Sequence, residues 1–378
     1  MRKRALRGAN IFDGTTLHAG KSVLLDGAIV RGIVSPGEIP ADFDIVELDG
    51  GTLLPGFVDL QVNGGGGVMF NDVTSPDGVA AIAEAHATTG TRALLPTLIT
   101  DTPAKTRAAV DAVADAIRRG VPGILGIHLE GPHLSLARKG AHDPSLIRPM
   151  EEEDAAFLCA AAGRLPNLMV TVAPENVTTA QIARLTEAGV IVSLGHTDCD
   201  LAAAEAAFSA GARCVTHLFN AMSQMGNREP GLVGATLATP GISAGLIADG
   251  IHVHAASIRV ALSSKRPPGS IFLVTDAMST VGSDIAEFTL NGRRVIRRDG
   301  RLTLADGTLA GADLDFPTAI LVLVERVGVA VGTALAMATS APASVLRDAR
   351  GFGAIRKDAP WNGIHLDGMG RYRDLAWI

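Results

Sequence analysis

The sequence predicts a (β/α)8 barrel of the TIM type carrying a small β-sandwich built from both chain ends. Three observations lead there. Eight short, near-continuous apolar runs recur from about residue 52 onward, with amphipathic stretches filling most of the gaps. Glycine is abundant, at 43 of 378 residues, as many tight strand-to-helix turns require. The conspicuous polar residues fall where the apolar runs end, which in a barrel is one face around one mouth.

In chain order, the first fifty residues read as short β pieces. Asn10-Ile11-Phe12-Asp13-Gly14, Leu25-Asp26-Gly27 and Leu48-Asp49-Gly50-Gly51 are turn signals between them. The expected barrel strands are 52–62, 93–99, 123–129, 168–173, 189–194, 213–218, 242–247 and 271–274. Expected helices are 76–88, 103–119, 151–163, 178–187, 200–210 and 255–264, with two more near 316–327 and 333–347. The tail from 351 to 378 returns to short β pieces, with Asp367-Gly368 as a turn. The expected organisation is a sandwich of residues 1–53 and 348–378 around a catalytic barrel of 54–347.

Composition removes several function classes. A chain that is 47% hydrophobic and 19% charged can bury a large core and does not read as disordered. A net charge of −6 argues against nucleic acid as a partner, because phosphate backbones are met by concentrated Lys and Arg. Cys159, Cys199 and Cys214 are odd in number, widely spaced and form no CxxC pair, so a reducing cytoplasm is the expected compartment. Met1-Arg2-Lys3-Arg4 is followed by no apolar signal core. The apolar stretch 319–338 carries Glu325 and Arg326 in its middle and reads as helix, loop and helix, not as a membrane span.

Six polar side chains gather at the expected strand ends: Gln61 and Asn63, Glu130, His196, His217 and Asp276. One carboxylate and two imidazoles (Glu130, His196, His217) are a common set for a catalytic Zn²⁺ or Fe²⁺ with positions left open for water, whose pKa the metal would lower. A single strand-end histidine is ordinarily just a hydrogen-bonded residue; the trio at the ends of the third, fifth and sixth strands favours the metal. Asp276 could cap a helix, or, beside a metal trio, take a proton from water and return it to a leaving amine. Cys214 falls inside an apolar strand and reads as a buried structural thiol.

Pro55-Gly56-Phe57-Val58-Asp59 resembles the entry motif of the amidohydrolase superfamily, where His-x-His usually follows; here the residues are Gln61-Val62-Asn63. With His128-Leu129-Glu130-Gly131-Pro132, Ser193-Leu194-Gly195-His196-Thr197, Thr216-His217-Leu218-Phe219-Asn220-Ala221-Met222 and Thr275-Asp276-Ala277-Met278, the chain resembles N-acetylglucosamine-6-phosphate deacetylases over nearly its whole length.

That resemblance implies hydrolysis of the N-acetyl group of a phosphorylated amino sugar. It implies Glu130, His196 and His217 as metal ligands, Asp276 as acid/base, and one divalent metal per subunit because amides replace His-x-His. Zinc is the first choice, with iron, cobalt or manganese compatible. It implies substrate contacts at Gln61, Asn63, Ala141, His142, Asn220, Ala221, Arg228, His252, Leu309 and Ala310. His142 polarises the acetyl carbonyl, backbone N–H groups of Asn220 and Ala221 face the phosphate, and Arg228 reaches in from the neighbouring subunit of a homodimer. His133 and Ala312-Asp313 depart from the family pattern, which bears on the pocket wall. The alternatives are an amidohydrolase acting on another small N-acyl amide or cyclic imide, and a non-catalytic sensor of metal or sugar phosphate. The substituted His-x-His speaks against cyclic-imide enzymes and the retained Asp276 against a sensor.

Overall fold

The structure is a computed structural model that describes residues 2–375. Met1 and residues 376–378, within the segments assigned above to the sandwich, lie outside the described residues. Its centre is an eight-stranded sheet whose spatial order follows the chain. The strands are β1 (Phe57–Val62), β2 (Thr91–Ile99), β3 (Ile127–Glu130), β4 (Leu168–Val172), β5 (Ile191–Leu194), β6 (Cys214–Val215), β7 (Ser243–Leu246) and β8 (Ile271–Leu273). Every neighbouring pair is parallel. Strand residues are buried on both faces, the barrel interior on one side and helices on the other, which is why the runs read as continuously apolar.

Helices between strands begin where the sequence supplies a cap. Ser75, Thr102, Thr178 and Asp200 each accept a hydrogen bond from a backbone N–H three residues on. Pro76 and Pro103 then occupy first-turn positions whose N–H would have no helical partner.

Both chain ends meet as expected. Gly363–Leu366 runs antiparallel to Thr52–Pro55, which is parallel to Asn10–Phe12. A four-stranded sheet of Lys3–Arg7, Ser22–Asp26, Ile29–Val34 and Asp44–Glu47 packs nearby. Leu6, Ile11, Val23, Leu25, Val30, Leu53 and Ile355 form their own core.

The structure corrects the expected elements in three places. The strand expected over 213–218 ends at Val215, because the chain turns at His217 with φ of 32°. A helix, Gly231–Ala238, is apolar all round and seven of its residues are buried, so it offered no amphipathic period to read. Residues 287–312, given no element above, form a four-stranded antiparallel sheet: Glu287–Leu290, Arg293–Arg298, Arg301–Thr303 and Leu309–Ala312. Its signal was present. Asn291-Gly292 and Asp299-Gly300 both adopt positive φ, the requirement of two-residue hairpin turns. The 319–338 stretch breaks into Phe316–Val322, a wider π-type turn over Leu323–Val327, and Val331–Ala338. No helix among the described residues is long and apolar enough to cross a membrane.

Candidate active site

Glu130 is the last residue of β3, while His196, His217 and Asp276 follow the ends of β5, β6 and β8 by two or three residues. His196, His217 and Asp276 all hold positive φ, at 49°, 32° and 50°. Left-handed backbone costs an L-residue of order 1–3 kcal/mol and persists where surroundings enforce it, often at functional sites. Here it turns side chains from three strand ends into one cavity of about 380 Å³.

Within that cavity Glu130 Oε1 lies 3.0 Å from both His196 Nε2 and His217 Nε2, which are themselves 3.0 Å apart. His196 Nδ1 donates to the Arg138 carbonyl at 2.8 Å, which turns Nε2 to the triangle's centre. Three inward-facing donors at one spacing suit a cation: N and O ligands about 2.0–2.1 Å from a tetrahedral centre are about 3.3 Å from each other. The chemistry of the donor set therefore fits a divalent metal. The imidazoles hold the Glu130 carboxyl well below the usual carboxylate range although burial opposes them. Burial acts against protonation of His217, but the Glu130 hydrogen bond and charge outweigh it and raise the imidazole's pKa.

His142 also brings a ring nitrogen within 4.8 Å of Glu130 and His196 donor atoms. Its tautomer makes it a donor instead of a ligand. Nδ1 faces the Thr100 hydroxyl at 2.8 Å and the Thr100 backbone N–H at 3.4 Å; a backbone N–H can only donate, so the ring proton sits on Nε2. Burial pushes its pKa down to about 3, leaving a neutral N–H donor.

Asp276 Oδ1 accepts from Asn63 Nδ2 at 2.7 Å and from Gln61 Nε2 at 3.1 Å. The same Gln61 nitrogen reaches Glu130 Oε2 at 3.2 Å. Burial, then the Glu130 charge, push Asp276 up to about 6, against the pull of His217 and Asn63. A carboxyl with a pKa near neutrality can exchange protons in both directions.

The profile of the amidohydrolase family matches residues 52–372. An N-acetylgalactosamine-6-phosphate deacetylase of Shewanella sp. (strain ANA-3) is 41% identical over 94% of this chain and 90% of its own. The crystal structure of N-acetylglucosamine-6-phosphate deacetylase from Pasteurella multocida superposes with a TM-score of 0.92 at 33% identity, covering 98% and 97% of the two chains. A Mycobacterium smegmatis enzyme of the latter name, solved as a mutant in complex with N-acetyl-D-glucosamine-6-phosphate, gives 0.89 at 31%, over 98% and 97%. The chain belongs to the amidohydrolase family.

In this amidohydrolase the cavity gathers most of the residues singled out above: Asn63, Glu130, Ala141, His142, His196, His217, Asn220, Ala221, His252, Asp276 and Leu309. Three expected substrate contacts do not line it. Gln61 lies beneath, engaged by the two carboxylates. Ala310 faces the other way, because alternate residues of Leu309–Ala312 point to opposite sides; Leu309 and Gly311 meet the cavity, while Ala310 packs with Leu290, Val295 and Leu302. Arg228 is exposed on a turn outside the cavity of its own chain. Asn220 lines the cavity, but its backbone N–H is already committed to the His217 carbonyl at 2.9 Å, so it does not serve as the expected amide donor.

Both departures from the family pattern point away from the cavity. His133 is buried, with Nδ1 3.1 Å from the Arg148 carbonyl. Asp313 accepts from Arg297 Nε at 2.7 Å and Thr280 Oγ1 at 3.0 Å, tying the inserted sheet to the loop after β8. His254 caps the helix Ala255–Ser264, and Cys214 is buried with its thiol pushed up to about 11 by burial.

Sequence reasoning passed over several contributors: Thr100, which sets the His142 tautomer; Asp249, whose carboxylate accepts from His252 Nδ1 at 2.6 Å; and the inserted sheet. That sheet brings Leu290, Thr308 and Gly311 to the cavity wall, and its Arg293 donates to the Ala141 carbonyl beside His142.

Proposed function

We propose that this amidohydrolase hydrolyses N-acetyl-D-glucosamine 6-phosphate to acetate and D-glucosamine 6-phosphate, a step of amino-sugar catabolism. The observation that carries the reading is that a cation-fitting trio, Glu130, His196 and His217, and a carboxyl poised near neutrality, Asp276, share one cavity. The names of the relatives, and the ligand in the Mycobacterium smegmatis complex, support the substrate.

Glu130, His196 and His217 would hold a divalent cation, zinc before iron, cobalt or manganese, which would supply water activation and Lewis acidity. His142 donates its Nε2–H to the carbonyl oxygen as negative charge develops there. Asn63 and Gln61 fix Asp276 through Oδ1, which leaves Oδ2 to take a proton from the attacking water. As the water oxygen bonds to the acyl carbon and the C–N bond breaks, Asp276 returns that proton to the departing amine. Around the phosphate, His252 and the turn at Ala221 offer contacts from within the chain. Arg228, exposed and outside the lining of its own cavity, supports a homodimer in which each subunit completes the other's site. The free thiols Cys159, Cys199 and Cys214 support a cytoplasmic location.

One observation favours a second reading. The Shewanella relative, at 41% identity, is named for the galactosamine epimer. Acetate release should therefore be measured on N-acetylglucosamine, N-acetylgalactosamine and N-acetylmannosamine, each free and 6-phosphorylated, with metal content determined on the same sample. Highest kcat/KM on the glucosamine 6-phosphate supports the proposal. Preference for the galactosamine 6-phosphate transfers it to the epimer, and turnover of free sugars at equal rates refutes the phosphate requirement.

A further inference from the structure

We infer that Asp59 is a positioning residue for Asp276: its buried carboxylate closes the barrel seam beneath the acid/base and holds that residue's left-handed backbone in place. The inference rests on the reading of Asp276 as the proton carrier.

The barrel has one weak seam. Each of β1 to β7 is joined to its successor by a ladder, but β8 and β1 are not paired as strands. The seam is bridged instead by Val62 and Ala277, a residue beyond the end of β8. Around it, the Asp276 N–H donates to the Gln61 carbonyl at 3.1 Å, and the N–H groups of Asn63 and Gly64 donate to the Ala277 carbonyl at 2.8 and 3.1 Å. These bonds hold Asp276 and the residue after it.

The residue before it, Thr275, is held by a side chain. Asp59 Oδ2 accepts from the Thr275 hydroxyl at 2.5 Å, and Oδ1 accepts from the backbone N–H groups of Thr275 at 3.3 Å and Gln61 at 3.2 Å. The Thr275 hydroxyl in turn accepts from the Ala277 N–H at 3.3 Å. Asp59 and Thr275 are 0% and 1% exposed. One carboxylate thus does across the seam what a row of strand carbonyls does elsewhere. It grips both the strand that carries Gln61 and the turn that carries Asp276.

The seam is also where strain is stored. Asp276 holds φ of 50° with its own N–H bonded to the Gln61 carbonyl, its carbonyl accepting from the Ala312 N–H at 2.9 Å, and both neighbours pinned as well. Its Oδ1 partners, Gln61 and Asn63, stand on the other side of the same seam. Slack in the seam therefore moves the proton carrier relative to Glu130 and His142 while leaving the trio, on β3, β5 and β6, where it was. A shift of the order of 1 Å in a catalytic group can cost about 10²-fold in rate. The loss belongs mainly in kcat, because His252 and Ala221, the contacts proposed for the phosphate, lie on other loops.

The test uses full-length Thr275→Val, Thr275→Ser and Asp59→Ala, with Asp276→Asn alongside, each checked for cooperative unfolding and metal content. Thr275→Val keeps the side-chain shape and removes the hydroxyl. Expected for Thr275→Val and Asp59→Ala is unchanged metal content, KM within about twofold, and kcat lower by roughly tenfold or more. Thr275→Ser, which restores the hydroxyl, should recover most of that loss. The double variant should lose little beyond either single, because both cut one link. If Asp59→Ala does not fold, the valine–serine pair decides alone. A folded, metal-loaded Thr275→Val with kcat within twofold of the parent overturns the inference, as does a serine variant as impaired as the valine. Near-normal turnover in Asp276→Asn overturns the underlying reading and this inference with it. An inactive Asp276→Asn beside a near-normal Thr275→Val overturns this inference only.

Discussion

Gln61 Nε2 lies 3.1 Å from Asp276 Oδ1 and, from the same nitrogen, 3.2 Å from Glu130 Oε2. The amide standing where the superfamily motif usually places a metal-binding histidine is thus a double donor between the two carboxylates of the site. A carboxylate in its place would repel both, whereas an apolar residue would merely release them. Gln61→Glu should therefore lose more kcat than Gln61→Met, with the larger loss on the order of 10²-fold. Steady-state kinetics on both variants checks this; equal rates would show that the bridge is idle.

Glu130 and Asp276 should separate on metal content. Glu130→Gln removes an anionic ligand and should lose metal and activity together. Asp276→Asn should keep the metal while kcat falls by about 10²–10⁴, the usual worth of general acid–base catalysis. Elemental analysis of the purified variants decides. An Asp276→Asn protein that loses metal as readily as Glu130→Gln makes Asp276 a ligand instead.

If His142 acts through its Nε2 proton as proposed, its removal and its mis-tautomerisation should differ in degree. His142→Leu should lower kcat by about 10²–10³, as loss of an oxyanion donor does. Thr100→Val should cost less, because the Thr100 backbone N–H at 3.4 Å still opposes a proton on Nδ1. A fully active His142→Leu would remove the carbonyl-polarising role.

Asp276 should set the acid side of the pH profile. Its carboxyl is pushed up to about 6 and must be ionised to accept a proton, so kcat/KM should fall as pH drops below that value, by tenfold per unit. A bound cation favours the ionised form and moves the limb to lower pH, never higher. The limb should disappear in Asp276→Asn. Its persistence there at the same pH would assign it to another group.

Arg228 can be tested by mixing subunits. Arg228→Ala and Asp276→Asn proteins, each inactive, should regain part of the activity when reassociated, because one composite site then holds both native residues. Proven heterodimers without recovery would confine each site to one chain.

Much of this could be read from the residues alone, for definable reasons. Eight apolar runs indicated the barrel because its strands are buried on both sides, and Glu130, His196, His217 and Asp276 stood at run ends because such ends share a face. The inserted sheet was legible in principle at Asn291-Gly292 and Asp299-Gly300, yet its strands are only half apolar and short, so their period did not stand out against the barrel's.

What the sequence determined by itself is the inventory: which groups could ligate, donate or carry a proton, and the barrel that collects them. The tertiary structure decided how each is used. It set Gln61 between two carboxylates, turned Ala310 and Asp313 away from the cavity, fixed the His142 proton on Nε2 through Thr100, and closed the seam with Asp59. Gln61, His142 and Asp59 each depend on a partner at least 42 residues away in the chain. Local pattern carries periodicity and turn chemistry, whereas hydrogen-bond direction, tautomer and burial are set by what folding brings alongside.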